Sequence, residues 1–208
     1  DYEVTYKYTK LNEETGEEET HISNYMEGTK LGNYIKSVHY ADEALGQLIS
    51  DMEAEGLLDN TVVVIYGDHD AKLKKSEFNY FYNYDFENDQ PLDKDDPNYD
   101  PVDYYEYELN RKVPFIIWTK DSSGNEQLNK EITKVMGMYD VQPTLGNMFG
   151  FKNKYALGND IFSIEENYVV FPDGNWLTNK MYYNNQRQEG KLLDSKIPVS
   201  VDYIEKHC

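Results

Sequence analysis

The sequence is poor in cysteine and in basic residues, and it contains no long hydrophobic run. Its one cysteine is the last residue, Cys208, so the chain cannot form an internal disulfide or a cysteine-based zinc site. No stretch approaches the ~18 consecutive apolar residues of a membrane-spanning helix. Only 20 Lys and Arg stand against 39 Asp and Glu, a formal net charge of −19. A surface this negative repels phosphate backbones, which excludes general nucleic-acid binding and polybasic docking on anionic lipid.

What the sequence does contain is enough apolar material for a packed core. Hydrophobic residues make up 39% of the 208 residues and aromatic residues 14%, with 20 tyrosines. Wholesale disorder is therefore excluded, and the length corresponds to one domain at about 100–200 residues per domain. Because the chain begins with Asp1 and not with methionine, we expect it to be part of a longer protein.

The pattern divides the chain into three stretches. Residues 1–28 alternate apolar and polar positions around an acidic turn, which predicts a hairpin inserted before the main fold. Residues 29–165 combine helical and strand patterns and form the predicted α/β part. Residues 166–208 contain two short strand patterns around Asp173–Gly174, which predicts a small antiparallel hairpin followed by a tail.

A long helix and two apolar runs define the predicted α/β part. Apolar residues recur at three- and four-residue steps from Leu31 to Met52, with Thr29 as a predicted N-cap and Gly56 as a predicted stop. Val62–Tyr66 and Val113–Trp118 are apolar without alternation. Such runs are typical of central strands covered on both faces. We therefore expect a sheet of parallel strands flanked by helices, followed by a small antiparallel piece.

The residues with the clearest chemistry follow the first of these strands. Gly67 lets the chain turn, and Asp68, His69 and Asp70 come directly after it, at the carboxyl end where ligand sites form in open α/β sheets. A carboxylate and an imidazole suit a divalent cation such as Mn²⁺, Zn²⁺ or Mg²⁺. The alternative is structural: Asp68 caps the turn and His69 is an ordinary loop histidine.

Several stretches, in this order, resemble the sulfatase/alkaline-phosphatase superfamily, and within it the lipoteichoic acid synthase family. They are Ser37–Gly46, Val62–Asp70, Lys112–Trp118, Gly137–Gly150, Tyr155–Asp160 and Val169–Trp176. The resemblance implies a sulfatase-like α/β fold, of which this chain is the C-terminal portion. It also implies an extracellular enzyme, tethered to the cell membrane through an N-terminal transmembrane region, that moves glycerol phosphate from phosphatidylglycerol to a lipid-linked polymer.

In that family a threonine nucleophile, a glutamate and an Asp-His pair hold a divalent metal, usually manganese. Asp68 and His69 match the pair. The threonine and glutamate have no match in this chain, so we expect them upstream, and no catalytic nucleophile lies in these 208 residues. Asp70 and Lys72 are candidates for an outer contact to the metal or a contact to substrate. The expected partners are the upstream half of the same domain, a phospholipid headgroup and the glycerol-phosphate polymer. Taken alone, the chain is expected to be inactive and to bind Mn²⁺ weakly.

Two alternatives stay open at this point. The first is another enzyme of the same superfamily: a phosphoethanolamine transferase, a phosphodiesterase or a sulfatase, separated by the identity of the nucleophile. The second is a non-catalytic extracellular binding module that keeps the fold and uses its acidic, tyrosine-rich segment, residues 80–110, as a contact surface.

Overall fold

The computed structural model of the chain describes residues 2–120 and 130–193. These residues belong to two compact units, the first ending at Gly124 and the second beginning at Asn125. The tail predicted within 166–208 lies partly outside the described residues, which end at residue 193. Nowhere in the described ranges is there a helix long and apolar enough to cross a membrane.

The described part of the first unit, residues 2–120, contains three α-helices and six strands. In chain order they are β1 (Tyr6–Leu11), β2 (Glu18–Ser23), α1 (Lys30–Ala54), β3 (Val62–Tyr66), α2 (Lys75–Tyr82), β4 (Tyr84–Asp85), β5 (Gln90–Pro91), α3 (Tyr104–Leu109) and β6 (Phe115–Thr119). β1 and β2 form an antiparallel hairpin in which Tyr6 lies opposite Ser23. The hairpin predicted for the first 28 residues is thus present.

The long helix begins and ends where its capping residues predict. The Thr29 hydroxyl oxygen accepts a hydrogen bond from the Gly32 amide at 3.0 Å, which satisfies one of the donors left free at a helix N-terminus. After Ala54 the chain reaches Gly56, whose φ of +70° lies in the left-handed region that favours glycine. A short 3₁₀ turn, Leu57–Asn60, then leads into β3.

The two apolar strands pair differently from the prediction. β3 and β6 form a two-stranded antiparallel ladder, with Val62 opposite Thr119 and Tyr66 opposite Phe115, so the expectation of parallel strands is wrong. The reason is topological: residues 67–114 leave and re-enter the ladder at the same end instead of crossing back along a face. Neither strand is buried, since Tyr66 is 51% exposed and Ile116 is 49% exposed. The expectation of solvent-free central strands is therefore also wrong for the described residues.

The core of the first unit lies away from this ladder. One cluster joins the hairpin to the start of α1 through the buried residues Val4, Tyr25 and Met26. A second cluster, made of Leu73, Phe78 and Val102, holds α2 and the segment before α3. Because these clusters fold the 67–114 segment onto itself, the segment forms a compact loop at one end of the ladder.

The second unit is a helix with an antiparallel sheet. It contains α4 (Val141–Phe149), β7 (Tyr168–Val170), β8 (Trp176–Thr178), β9 (Met181–Asn184) and β10 (Glu189–Leu192). The sheet order is β10-β9-β8-β7, and Gly174 in the predicted turn has a φ of +84°. The hairpin around Asp173–Gly174 is confirmed, whereas the last two strands were not predicted. The described chain is mixed α/β with small antiparallel sheets, which agrees with the predicted fold class.

Candidate metal centre

The candidate centre is carried by the turn that follows β3. The Gly67 amide donates to the Pro114 carbonyl at 3.1 Å, which extends the pairing of β3 with β6 by one more bond. A Cβ atom on Gly67 would lie 2.7 Å from Cβ of Val113, closer than packed carbon atoms approach. Glycine is therefore required here by the close approach of the two strands, and this contact fixes where Asp68 leaves the sheet.

Asp68 and His69 face each other at this strand end. The Nε2 atom of His69 lies 3.7 Å from Oδ1 of Asp68, and their side chains are 56% and 85% exposed, respectively. The other ring nitrogen, Nδ1, lies 2.6 Å from the carbonyl oxygen of Asp70. A carbonyl oxygen can only accept, so Nδ1 must carry the proton and donate. Neutral His69 therefore has its free lone pair on Nε2, the nitrogen nearest to the Asp68 carboxylate.

This donor pair fits a divalent cation. Metal–nitrogen and metal–oxygen bonds are about 2.0–2.2 Å long, so atoms 3.7 Å apart are close enough for one ion to contact both. A ligating histidine usually donates its second N–H to a carbonyl or carboxylate, as His69 does. In residues 2–120 and 130–193 no group of three or more His, Cys, Asp or Glu side chains could hold a metal. Asp68 and His69 as metal ligands therefore stay a prediction.

The two further candidates, Asp70 and Lys72, shape the loop. The Asp70 carboxylate accepts from the Lys72 amide at 3.2 Å. Lys72 has a φ of +52°, uncommon for a residue with a side chain, and its carbonyl accepts from Nζ of Lys30 at 3.0 Å. The loop is thereby tied to the beginning of α1. The proposed contacts of Asp70 and Lys72 to a metal or a substrate stay predictions.

Arg111, which the sequence did not single out, also contacts this loop. Its Nε atom lies 3.5 Å from Oδ2 of Asp70, and a terminal guanidinium nitrogen lies 3.1 Å from Oε1 of Glu108. Burial by itself would lower the pKa of Arg111. The carboxylates of Glu108 and Asp70 outweigh burial and hold that pKa above its usual value. The guanidinium therefore stays charged and paired beside the candidate centre.

Aromatic rings near the start of the tyrosine-rich segment pack against rings from the first 28 residues. Tyr25 of the hairpin region lies 4.4 Å from Tyr84, and Phe86 stacks at 5.1 Å on Tyr6, both between ring centroids. The Tyr84 hydroxyl donates to Asp89 at 2.9 Å. Burial and then this hydrogen bond raise the pKa of Tyr84 to about 12. These rings form the aromatic core of the first unit.

With this geometry in place, comparison with known proteins identifies the class. The sulfatase family model matches residues 1–151, so the chain belongs to the sulfatase family. It is similar to lipoteichoic acid synthase 2 of Bacillus subtilis (strain 168), 30% identical over 178 residues. It is also similar to lipoteichoic acid synthase of Staphylococcus aureus (strain USA300), 32% identical over 177 residues. Each match covers 84% of this chain and 24% of the relative, so the chain spans about a quarter of the length of these curated relatives.

Proposed function

We propose that this chain is part of a metal-dependent phosphoglycerol transferase that acts outside the cell. Its donor is phosphatidylglycerol, and its acceptor is a growing, lipid-linked glycerol-phosphate polymer. The observation that carries the proposal is the Asp68–His69 pair, with its protonated Nδ1 facing a carbonyl and its Nε2 facing the carboxylate. The similarity to lipoteichoic acid synthases supports the choice of reaction.

In this proposal Asp68 supplies an anionic oxygen and His69 a neutral nitrogen to the metal, which we take to be Mn²⁺. A bound divalent ion supplies positive charge against the negative charge that develops during phosphoryl transfer. The Asp70 carbonyl holds the imidazole in the ligating tautomer, and Gly67 sets the point at which both ligands leave the sheet. The nucleophilic threonine and a glutamate ligand are expected upstream of these residues in the full-length protein.

The same proposal accounts for the exposed apolar residues of the β3–β6 ladder. Its residues are apolar on both faces, and an open groove of about 220 Å³ runs along it, lined by Ile49, Val63, Ile65, Ile116 and Trp118. Soluble proteins rarely leave such faces in water. We propose that the upstream part of the enzyme, tethered to the membrane, covers this ladder and completes the metal site.

The test compares the full-length gene product with variants of its two ligands. Asp68→Ala and His69→Ala should each lower headgroup release from labelled phosphatidylglycerol by at least ~100-fold. Loss of a ligand should cost no less than the 10–100-fold effect of losing an outer partner. Asp59→Ala and His21→Ala are matched controls of the same residue types on the surface of the first unit, and they should keep full activity.

The same assay separates the proposal from its rivals. An enzyme that releases no glycerol phosphate but hydrolyses an aryl sulfate would be a sulfatase, which would overturn the transfer reaction while keeping the metal pair. Full activity in Asp68→Ala would overturn the metal pair itself. The 208-residue chain alone should release no glycerol phosphate, because the nucleophile is expected elsewhere.

A further inference from the structure

We propose that Arg111 is a positioning residue for the metal centre, acting through Asp70 on the imidazole of His69. The inference rests on the proposed function and names a residue that the proposal does not use. The contacts form one continuous path. Glu108 holds the Arg111 guanidinium at 3.1 Å, Arg111 pairs with the Asp70 carboxylate at 3.5 Å, and the Asp70 carbonyl receives the His69 Nδ1 proton at 2.6 Å.

The side chains that form this path are less exposed to water than His69, which they support. The side chains of Glu108, Asp70 and Arg111 are 7%, 19% and 33% exposed, whereas His69 is 56% exposed. Charge pairs that are partly removed from water are screened less than surface pairs. The Arg111 pairs therefore hold their geometry better than an open ion pair would.

Asp70 links the ion pair with Arg111 to the orientation of the His69 imidazole. One of its carboxylate oxygens, Oδ2, contacts both the Arg111 Nε atom and the Lys72 amide. These two contacts hold Oδ2, and the Lys72 carbonyl ties the loop to α1 through Lys30, so rotation of the backbone at residue 70 is restricted. Its carbonyl therefore stays directed at Nδ1, which keeps the lone pair of His69 on Nε2.

Without Arg111 the carboxylate of Asp70 loses its counter-ion, and the carbonyl can turn from the ring. His69 would then divide between its two neutral tautomers and between ring orientations, and only part of that population could ligate. Removing a residue that holds a metal ligand in place, without itself touching the metal, typically lowers metal affinity by about 10–100-fold. We expect Arg111→Gln to weaken Mn²⁺ binding by about tenfold, at the lower end of that range, because Arg111 acts through an intermediate residue.

The experiment uses the full-length gene product and two measurements that do not depend on turnover. The dissociation constant for Mn²⁺ is obtained from the free-ion EPR signal at high salt, where weak uptake by the acidic surface is screened. The tautomer of His69 is obtained from its ¹⁵N imidazole resonances in the metal-free protein. Wild type should show a protonated Nδ1, and Arg111→Gln should show a mixture of tautomers.

A double-mutant cycle tests the route through Asp70. Asp70→Asn should also weaken Mn²⁺ binding, and the combination with Arg111→Gln should be no weaker than the more affected single variant, because both remove the same contact. Lys120→Gln is the matched control. It breaks a similar pair with Asp59, 2.7 Å long, beyond the other end of the β3–β6 ladder, and should change neither measurement.

The outcomes separate this inference from the proposed function. Unchanged Mn²⁺ binding in Asp68→Ala would overturn the metal centre on which both rest. Weakened binding in Asp68→Ala together with unchanged affinity and tautomer in Arg111→Gln would overturn the positioning role alone, as would additive effects in the cycle. If Arg111→Gln fails to fold, the His69 tautomer in Asp70→Asn decides: an unchanged protonated Nδ1 overturns the inference.

Discussion

Among the residues described in the second unit, Asp140 has the most fully enclosed carboxylate, and its removal should be severely destabilising. It is 0% exposed. Its two oxygens accept from the amides of Gly137 at 2.8 Å and Asn159 at 2.7 Å, and from the side-chain amide of Asn167 at 2.9 Å. Its carbonyl accepts from the Thr144 hydroxyl at 2.7 Å. One carboxylate thus joins the start of α4 to two later segments of the chain.

The size of the effect follows from the donors that lose their acceptor. Asp140→Ala leaves three N–H groups without their acceptor, two of them buried and the amide of Asn159 partly buried. Each buried group left unsatisfied costs about 1–3 kcal/mol. Water entering the small space would satisfy part of them, so we expect a loss of ~3–5 kcal/mol, the range found when one partner of a buried charged contact is removed. Asp140→Asn keeps one acceptor oxygen and sets an amide against a donor, so its cost should be smaller, ~1–3 kcal/mol.

The assay exploits the position of the two tryptophans. Trp118 lies in β6 of the first unit and Trp176 in β8 of the second. In a Trp118→Phe background, urea unfolding followed by fluorescence reports the second unit alone. The expected loss is a large share of the ~5–15 kcal/mol that stabilises a typical domain, so the Asp140→Ala transition should move to much lower urea or disappear.

Asp173 provides the matched control. Its carboxylate also accepts from one backbone amide and one side-chain amide, both of Asn175, at 3.1 and 3.0 Å, but Asp173 is exposed to water. Asp173→Ala should therefore cost less than ~1 kcal/mol. The reasoning is refuted if Asp140→Ala costs less than ~1 kcal/mol, or if Asp173→Ala costs as much as Asp140→Ala.

Two glycines and one tyrosine give further tests in the 208-residue chain. Gly67→Ala should destabilise the first unit by ~1–3 kcal/mol, because the added Cβ would overlap Val113. Gly46→Ala is the control: an added Cβ there has nothing within 4 Å, so it should stabilise α1 by ~0.5–1 kcal/mol. Both changes are measured by thermal unfolding. Equal effects of the two would contradict the close approach. Tyr84, whose pKa rises from 10.0 to about 12 on folding, favours the folded state fully below pH 10 and loses that contribution between pH 10 and 12. Tyr84→Phe should therefore lose less stability than wild type across that interval, and an identical loss would contradict the shift.

Features set by neighbouring residues could be predicted from the sequence. The N-cap at Thr29, the stop at Gly56 and the Asp173–Gly174 turn each depend on a few adjacent positions, and all three are where the pattern places them. The Asp68–His69 pair was predicted as a metal site from its place after a strand together with the family resemblance, and it stays a prediction.

Choices between distant partners could not be predicted. Asp140 lies at the N-cap of α4, as its position before Val141 suggests, yet its side chain makes no capping hydrogen bond to that helix. The carboxylate contacts Asn159 and Asn167 instead. Nothing in the spacing of these residues indicates which of several polar groups a buried carboxylate will choose, because that choice depends on how the later segments fold back.

The same limit applies to the two apolar runs. Uninterrupted Val and Ile residues indicate that both faces of a strand are suited to burial, but they carry no information on strand direction or on what covers the strand. Direction is decided by where residues 67–114 fold. Their core of Leu73, Phe78 and Val102 keeps them at one end of the ladder, so β6 returns antiparallel.

That direction is what brings Arg111 to the candidate centre. In a parallel pair, the residues before β6 would lie at the opposite end of the sheet from Asp68. In the antiparallel ladder Tyr66 is opposite Phe115, and the same register continued along both chains places Asp70 opposite Arg111, where the 3.5 Å ion pair is found. A slip of one residue in this register would shift Arg111 along the chain relative to Asp70 and separate the two charges of the pair. The register of β3 against β6 therefore determines both where the proposed ligands Asp68 and His69 leave the ladder and where Arg111 meets Asp70.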